Sequence, residues 1–328
     1  MSNRLTATLG GSLVCAASLI ATAHAAPPPH GVVERHQLAN SAALGRPVAY
    51  TLYRPAGAPA PGTRWPVLYL LHGGGGGADD WLDQGKIAET LDGKIAAGEI
   101  RPLVVVMPDG GGESWFVDNP DPGGAGNVEA ALTDDLVHAV DQTLPTAACR
   151  TGRAVGGLSM GGYGAALFAL DHPDRYAAVI SLSGAIAPPI DPGDKERIER
   201  GQTFYDGAFG NPFDVKRFNA DNIFPRVERD KDHADRPAFW LAAGDRDGLG
   251  IITGSAALHV ALRKAGYETS LRIGPGQHDW NNWSQAIVPA LAWLSPKLSD
   301  HCDTPTPAAF TGPAKLVPAK PQSGEAQK

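Results

Sequence analysis

Short apolar runs alternate with longer amphipathic segments along most of the chain. The runs at 67–71, 103–107 and 154–158 are bounded by glycine or proline. Their length and uninterrupted apolar character predict strands that are buried on both faces of a parallel sheet. Polar and apolar residues alternate at 48–53 instead, and this pattern predicts an antiparallel strand.

The same alternation continues to the end of the patterned region. Further strands are predicted at 177–182, 238–242 and 269–273. Helices are predicted at 87–97, 128–143, 161–169, 255–265 and 283–294. A regular succession of strands and helices indicates an α/β protein with a mostly parallel, doubly wound sheet and helices on both faces.

The two ends of the chain and one internal segment depart from this rhythm. Residues 1–25 resemble a signal peptide, with Arg4, an apolar stretch and Ala23-His24-Ala25 as the cleavage site. We expect a linker at 26–38, a catalytic domain at 39–302 and a polar insertion at about 188–236 over the catalytic edge of the sheet. A disordered tail rich in proline and alanine is predicted at 303–328.

Charge and cysteine content limit the binding partners and the cellular compartment that can be expected for the protein. The 328 residues carry a formal net charge of −7 without any Lys/Arg-rich stretch, which argues against nucleic acid as a partner. No segment after the leader is long and apolar enough to span a bilayer. Cleavage of the leader would leave two cysteines, Cys149 and Cys302, and an even count in an exported chain suggests a disulfide. A secreted or periplasmic location is expected.

The strongest chemical signal is the sequence Gly157-Leu158-Ser159-Met160-Gly161. It lies between a predicted strand and a predicted helix, which is the context that a G-x-S-x-G nucleophile elbow requires. Small residues on both sides of the serine allow the sharp turn that exposes its hydroxyl above the sheet. Ser159 is therefore the predicted nucleophile.

A serine nucleophile needs a base, and that base needs an orienting acid. His278 follows the last predicted strand and precedes the last helix, so it is the predicted base, with His72 as the rival. Asp247 is the predicted acid, in the loop after the penultimate strand, and Asp245 of the same loop is left open as the alternative.

The loop 72–77, His-Gly-Gly-Gly-Gly-Gly, follows the strand at 67–71. It should supply one oxyanion-hole amide from Gly74, and the second should come from Met160. The glycine run also loosely matches a dinucleotide-binding fingerprint, but Asp79 and Asp80 follow it directly and would repel a pyrophosphate. No cofactor and no metal site are expected.

Other polar and aromatic groups carry weaker signals. Asp134 and Asp135 are adjacent on a predicted helix, where their side chains diverge, so they are expected on a solvated face. Four aromatic residues lie near the predicted catalytic edge, where substrate contact and core packing are both possible roles: Trp115, Phe116, Trp280 and Trp283. Of these, Trp115 and Trp280 are the candidates for substrate contacts.

With these residues assembled, the chain resembles the putative-esterase family of α/β-hydrolases. This group includes feruloyl and acetylxylan esterases, S-formylglutathione hydrolases and the antigen 85 mycolyltransferases. The matching stretches are 69–73, 106–110, 153–184, 209–212 and 277–280. The resemblance covers most of residues 40–297 and implies the α/β-hydrolase fold.

By that likeness, Ser159, Asp247 and His278 match the family's triad, and Gly74 and Met160 match its oxyanion donors. The family topology also places Cys149 and Cys302 at the edge of the sheet opposite the active site, which implies a disulfide between them. Where the mycolyltransferases have tryptophan after the aspartate of a cleft segment, this chain has Asn119 after Asp118.

These expectations define a serine carboxylic-ester hydrolase that acts through an acyl-enzyme on a small-molecule or polysaccharide-linked ester. Acyl transfer to a sugar or other alcohol, as in the mycolyltransferases, is the alternative. A non-catalytic binding protein on the same fold is a third, and it would lack a triad residue, whereas none is missing here. The sequence leaves the acyl group, the alcohol and the oligomeric state open.

Overall fold

The computed structural model describes residues 30–302, which form ten strands. Eight of them build one sheet in the order β1-β2-β4-β3-β7-β8-β9-β10, and β5 pairs with β6 in a separate ribbon. The strands are β1 (Val32–Ala39), β2 (Val48–Arg54), β3 (Val67–Leu71), β4 (Val104–Pro108), β5 (Asp118–Asn119), β6 (Gly126–Asn127), β7 (Arg153–Leu158), β8 (Ala178–Leu182), β9 (Ala238–Gly244) and β10 (Thr269–Gly274).

Helices connect the strands over both faces of the sheet. They are α1 (Asp80–Asp83), α2 (Ile87–Ala96), α3 (Val128–Ala130), α4 (Val137–Thr143), α5 (Met160–Asp171), α6 (Lys195–Phe204), α7 (Val215–Ala220), α8 (Ile223–Arg229), α9 (Ile251–Lys264) and α10 (Trp280–Leu294). A π-helical segment at Ala131–Leu136 joins α3 to α4, and short 3₁₀ turns occupy Arg150–Gly152 and Ser295–Lys297. In the described part of the chain, no helix has the length and apolar character needed to cross a membrane.

The sheet is mostly parallel, and its central strands are the most apolar. Every residue of β3, β4, β7 and β8 is buried, as expected for strands that are covered by helices on both faces. One layer of the core packs α5 and α9 against the sheet, and the other packs α1, α2 and α10. The predicted α/β-hydrolase architecture is therefore confirmed.

The first strand replaces most of the predicted linker. Residues 26–38 were expected to connect the leader to the domain, whereas β1 begins at Val32 and pairs antiparallel with β2. The pairing shifts register between Glu34 and Gln37, and His36 between them has φ +55°. This bulge interrupts the period-2 pattern from which a strand is predicted.

The insertion between β8 and β9 contains α6, α7 and α8. It is held together by an aromatic cluster in which Tyr205 contacts Phe209, Phe213 and Phe218 at ring-centroid distances of 5.2, 5.5 and 4.9 Å. Phe209 and Phe218 are fully buried. The insertion therefore packs as an ordered layer whose aromatic cluster is continuous with the main apolar core.

A disulfide joins Cys149 to Cys302 across 153 positions of the chain, with a Cα–Cα distance of 5.8 Å. Cys149 precedes β7, the strand that leads to Ser159, and Cys302 follows α10. The backbone amide of Ser299 also donates to the carbonyl of Thr151 at 2.8 Å. The bond therefore fixes the end of the last helix to the start of the central strand.

Replacing both cysteines with serine is expected to lower the free energy of unfolding by about 2–5 kcal/mol, because the loop that the bond closes is long. Urea unfolding of the non-reduced wild type and the double variant measures the difference. Equal midpoints, or two free thiols in the wild-type protein by intact mass, would contradict this expectation.

Candidate active site

The turn between β7 and α5 holds Ser159 in a strained backbone conformation. Ser159 has φ +52° and ψ −117°, a region that residues with a side chain seldom occupy. A Cβ on Gly157 would lie 2.4 Å from the carbonyl oxygen of Gly161, so the strand and helix approach too closely for any larger residue. The sequence Gly-x-Ser-x-Gly thus permits the turn that presents the serine hydroxyl at the carboxyl edge of the sheet.

The three residues predicted as a triad lie in one hydrogen-bonded chain. His278 Nε2 is 2.8 Å from Ser159 Oγ, and His278 Nδ1 is 2.7 Å from Asp247 Oδ2. The Asp247 side chain is fully shielded from solvent, and its Oδ1 accepts a hydrogen bond from the amide of Leu249. Each group therefore has the position that a nucleophile, a base and an orienting acid require.

The structure separates the two aspartates between which the sequence could not decide. Asp245 is half exposed, and its Oδ1 accepts a hydrogen bond from the amide of Gly276 at 3.0 Å. That contact closes the loop before His278 and leaves the imidazole to Asp247. Asp245 thus supports the loop, and Asp247 reaches the histidine.

The loop predicted to form the oxyanion hole packs directly against the nucleophile turn. A Cβ on Gly161 would lie 2.3 Å from the carbonyl oxygen of His72, so this glycine lets the loop and the start of α5 touch. Met160 is the first residue of α5, and its amide belongs to the N–H groups that a helix leaves without an intrahelical acceptor. Gly74 lies two residues beyond His72 in the same loop.

His72, the rival base in the sequence, has a different position. Its ring is 1% exposed, Nδ1 donates to the carbonyl of Gly73 at 2.8 Å, and Nε2 accepts from the amide of Gly110 at 3.2 Å. These bonds fix the neutral tautomer and connect the glycine loop to the loop after β4. Burial lowers the pKa of His72 below 6.5, although the backbone bond to Gly73 and the nearby carboxylate of Asp109 oppose the shift.

This environment predicts a pH-dependent contribution to stability. Because the folded state lowers the pKa of His72, the unfolded chain binds more protons once the pH falls below about 6.5, and stability declines as the pH falls. We expect the free energy of unfolding to fall with pH in this window by at most about 1.4 kcal/mol per pH unit from this residue. Urea titrations between pH 5 and 8 should show a shallower dependence for His72→Gln, and parallel curves would contradict the assignment.

The tryptophans at the catalytic edge are engaged in packing. Trp115 is 3% exposed and lies in the aromatic cluster of the insertion, 4.6 Å from the ring centroid of Tyr205. Trp280 is partly buried between Trp81 and Trp283, with both pairs close to perpendicular. The substrate-contact role expected of Trp115 and Trp280 stays a prediction.

Trp283 is the aromatic residue closest to the candidate base. Its ring centroid lies 5.0 Å from that of His278, at an interplanar angle of 88°. The sequence placed Trp283 near the predicted catalytic edge and left substrate contact and core packing open for it.

Two amides of the glycine loop donate hydrogen bonds to other groups of the protein. The amide of Gly77 donates to the carboxylate of Asp80, and the amide of Gly75 donates to the carbonyl of Gly112 at 2.7 Å. The Gly77 amide is therefore paired with a carboxylate whose charge would repel a phosphate. Among residues 30–302, no group of three His, Cys, Asp or Glu side chains could hold a metal ion.

A mostly parallel sheet with a strained serine between its central strand and the next helix defines an α/β-hydrolase. The family model described as "Putative esterase" matches residues 41–294, and the chain belongs to this family. The protein is accordingly a carboxylic ester hydrolase.

Several esterases of bacteria are similar to this chain. An acetyl esterase of Caldicellulosiruptor saccharolyticus is 27% identical over 241 residues, which are 71% of this chain and 84% of the relative. An endo-1,4-beta-xylanase/feruloyl esterase of Xylanibacter ruminicola is 35% identical over 136 residues, which are 42% of this chain and 19% of the relative, so the chain matches only about a fifth of that protein. A solved ferulic acid esterase has a TM-score of 0.67 and 25% identity, and it covers 82% of this chain and 99% of its own.

Proposed function

We propose that this protein hydrolyses carboxylic esters through an acyl-enzyme on Ser159, with His278 as the base and Asp247 as the acid that orients it. The observation that carries the proposal is the continuous hydrogen-bonded chain from Asp247 Oδ2 through the imidazole to Ser159 Oγ. Family membership supports the same reaction class.

The proposed reaction has two half-reactions. Ser159 Oγ attacks the ester carbonyl carbon while His278 Nε2 takes its proton, and the imidazolium then protonates the departing alkoxide as the C–O bond breaks. Water next gives a proton to His278 and attacks the acyl carbon. The bond between this carbon and Ser159 Oγ then breaks while the imidazolium returns the proton to Oγ, which releases the carboxylic acid and restores Ser159. The amides of Gly74 and Met160 would stabilise the negative oxygen of both tetrahedral intermediates.

Covalent labelling tests the nucleophile directly. A p-nitrophenyl phosphonate should release one equivalent of p-nitrophenol, and the mass increase should map to the peptide that contains Ser159. Urea-unfolded protein is the control and should remain unlabelled, because activation of the hydroxyl requires the folded triad. Labelling at another residue would reject the proposed nucleophile.

Water is the proposed acyl acceptor. Asn119, which follows Asp118 where the mycolyltransferases have tryptophan, donates from Nδ2 to the carbonyl of Gly207 in the insertion and is 3% exposed. Its side chain is thus committed to packing and is not presented to an acceptor alcohol. With an ester donor and glycerol or trehalose present, the free acid should be the main product, whereas dominant transesterification would favour the acyltransferase alternative.

Export of the protein is a further part of the proposal. The leader at 1–25 lies outside the described residues, while the disulfide between Cys149 and Cys302 supports an oxidising compartment. N-terminal sequencing of the mature protein should begin at Ala26. Accumulation of uncleaved, reduced protein in the cytoplasm would contradict it.

A further inference from the structure

A cavity of about 590 Å³ opens beside the candidate triad, between the loop after β8, helix α6 and the start of α9. Two contacts locate it. The amide of Ala185, in its wall, donates to the carbonyl of Ser159 at 3.0 Å. Gly248, in the opposite wall, directly follows Asp247. The cavity wall is therefore joined to the nucleophile by a backbone hydrogen bond and to the acid by the chain itself.

Most of the cavity wall is apolar. Ile186, Ile190 and Ile251 line its buried part. Phe204 and Leu249 line it as well and are 41% and 51% exposed, so large apolar side chains also reach solvent at this site. Such a surface favours an apolar spacer or ring of a ligand, because burial of both surfaces releases water.

The charged side chains that line the cavity are all positive. Among the described residues that line the cavity, Arg197 and Arg200 are the charged ones, and no carboxylate lines it. Arg197 donates to the carbonyls of Pro188 and Pro189 at 2.8 and 3.1 Å, which fixes the guanidinium without neutralising it. Within residues 30–302, neither arginine has a carboxylate within ion-pair distance.

The positive charge of the two arginines affects the pKa of Tyr205, which also lines the cavity. Burial raises the pKa of its hydroxyl, whereas the guanidiniums of Arg197 and Arg200 act in the opposite direction by stabilising the anionic form. Both arginines are thus close enough to act on a negative charge at the Tyr205 oxygen. An anionic group of a ligand placed there would be stabilised in the same way.

Acidic groups lie on the other side of Arg200. Glu113 and Asp206 line a second opening of about 480 Å³ that shares Arg200 and Phe204 with the cavity. Burial raises the pKa of Glu113, and the charge of Asp206 raises it further. These carboxylates disfavour an anion in the second opening, whereas no carboxylate lines the cavity that Arg197 and Arg200 share.

From this arrangement we propose that the cavity selects esters that carry a carboxylate at the end of an apolar spacer. The spacer packs on the isoleucines and Phe204, and the carboxylate pairs with Arg197 and Arg200. This inference rests on the proposed ester hydrolysis and names its substrate class. The carboxylate can belong to the acyl group or to the alcohol, and the experiment distinguishes the two.

The test compares matched anionic and neutral esters at low ionic strength. The first arm places the carboxylate on the acyl group and compares mono-p-nitrophenyl adipate with p-nitrophenyl hexanoate. The second arm places it on the leaving phenol and compares 4-acetoxybenzoate with phenyl acetate. Each rate is corrected for the uncatalysed reaction. In the arm that matches the natural substrate, kcat/KM should favour the anionic ester, and 0.5 M NaCl should reduce the preference.

Arg200→Gln removes a charge from the cavity without breaking a hydrogen bond within the described residues. We expect it to lower kcat/KM for the favoured anionic ester by about three- to tenfold and to leave the neutral ester unchanged. Arg263→Gln, on α9 and outside the cavity, is the control for general attraction of anions and should leave both esters unchanged. Arg200→Lys should keep part of the preference.

The possible outcomes separate this inference from the proposed function. Hydrolysis of the neutral esters with no anionic preference in either arm would overturn the inference alone. A preference that Arg200→Gln does not reduce, or that Arg263→Gln reduces equally, would also overturn it. Failure to hydrolyse any of the four esters would contradict the proposed function itself.

Discussion

Ser159→Ala is expected to lower kcat for a p-nitrophenyl ester by a factor on the order of 10⁵–10⁶, with little change in KM. The hydroxyl lies 2.8 Å from His278 Nε2, and without it no acyl-enzyme can form on this residue. Alanine keeps the Cβ, so the strained backbone at φ +52° changes little. The residual rate should reflect ester binding and the oxyanion hole alone.

Ser183→Ala is the matched control for this substitution. Ser183 directly follows the neighbouring strand β8, is 1% exposed and also has a positive φ of +45°. Its Oγ has no hydrogen-bond partner among the described residues, so its removal should leave kcat within about twofold of the wild type. Steady-state and burst kinetics measure both variants. Normal turnover by Ser159→Ala would remove the basis for the proposed mechanism.

The strands that matter most were predictable because they are continuously buried. The run at 67–71 coincides with β3, and 154–158 lies within β7 (Arg153–Leu158), since only an apolar segment can fill a position covered on both faces. β1 was missed because a bulge disrupts its alternation at the edge of the sheet. The helices of the insertion were missed because their apolar surface comes from scattered aromatics, such as Phe209 and Phe218, which meet only after folding.

The candidate site was predictable to the extent that chain order determines it. An elbow serine, a late histidine and an acid after the penultimate strand follow from topology. The contacts that depend on the direction of a side chain could not be predicted in this way. Asp135 was expected on a solvated face, whereas it is buried and accepts hydrogen bonds from Ser41 Oγ and the amide of Ala43. The periodic pattern of a helix does not show that the loop containing Ser41 and Ala43 folds over Asp135.

The positive charge in the wall of the 590 Å³ cavity could likewise not be predicted from the sequence. Arg197 and Arg200 lie in a polar stretch where acidic residues are equally frequent. Their significance comes from the packing of α6 against the loop after β8, which directs them towards an apolar space without a carboxylate. Such a juxtaposition joins residues from three separate elements, and no local pattern encodes it.

Asp247→Asn is expected to lower kcat by about 10⁴-fold while leaving the fold intact. The asparagine amide is nearly isosteric with the carboxylate, but it carries no charge to stabilise the imidazolium and can present an N–H to Nδ1. His278 would then favour the tautomer with its proton on Nε2, which cannot accept the proton of Ser159. Because Asp247 is shielded from solvent, water cannot replace the lost interaction.

Asp245→Asn provides the discriminating control, since the two aspartates lie in the same loop and differ in what they touch. The asparagine oxygen can still accept from the Gly276 amide, so kcat should fall by less than about fivefold. If Asp245→Asn instead caused the large loss and Asp247→Asn the small one, the acid would be Asp245, and the bond between Asp247 and His278 would have no catalytic role. Equal, large losses would mean that the loop acts as a unit, with Asp245 holding Asp247 in register through the backbone that joins them.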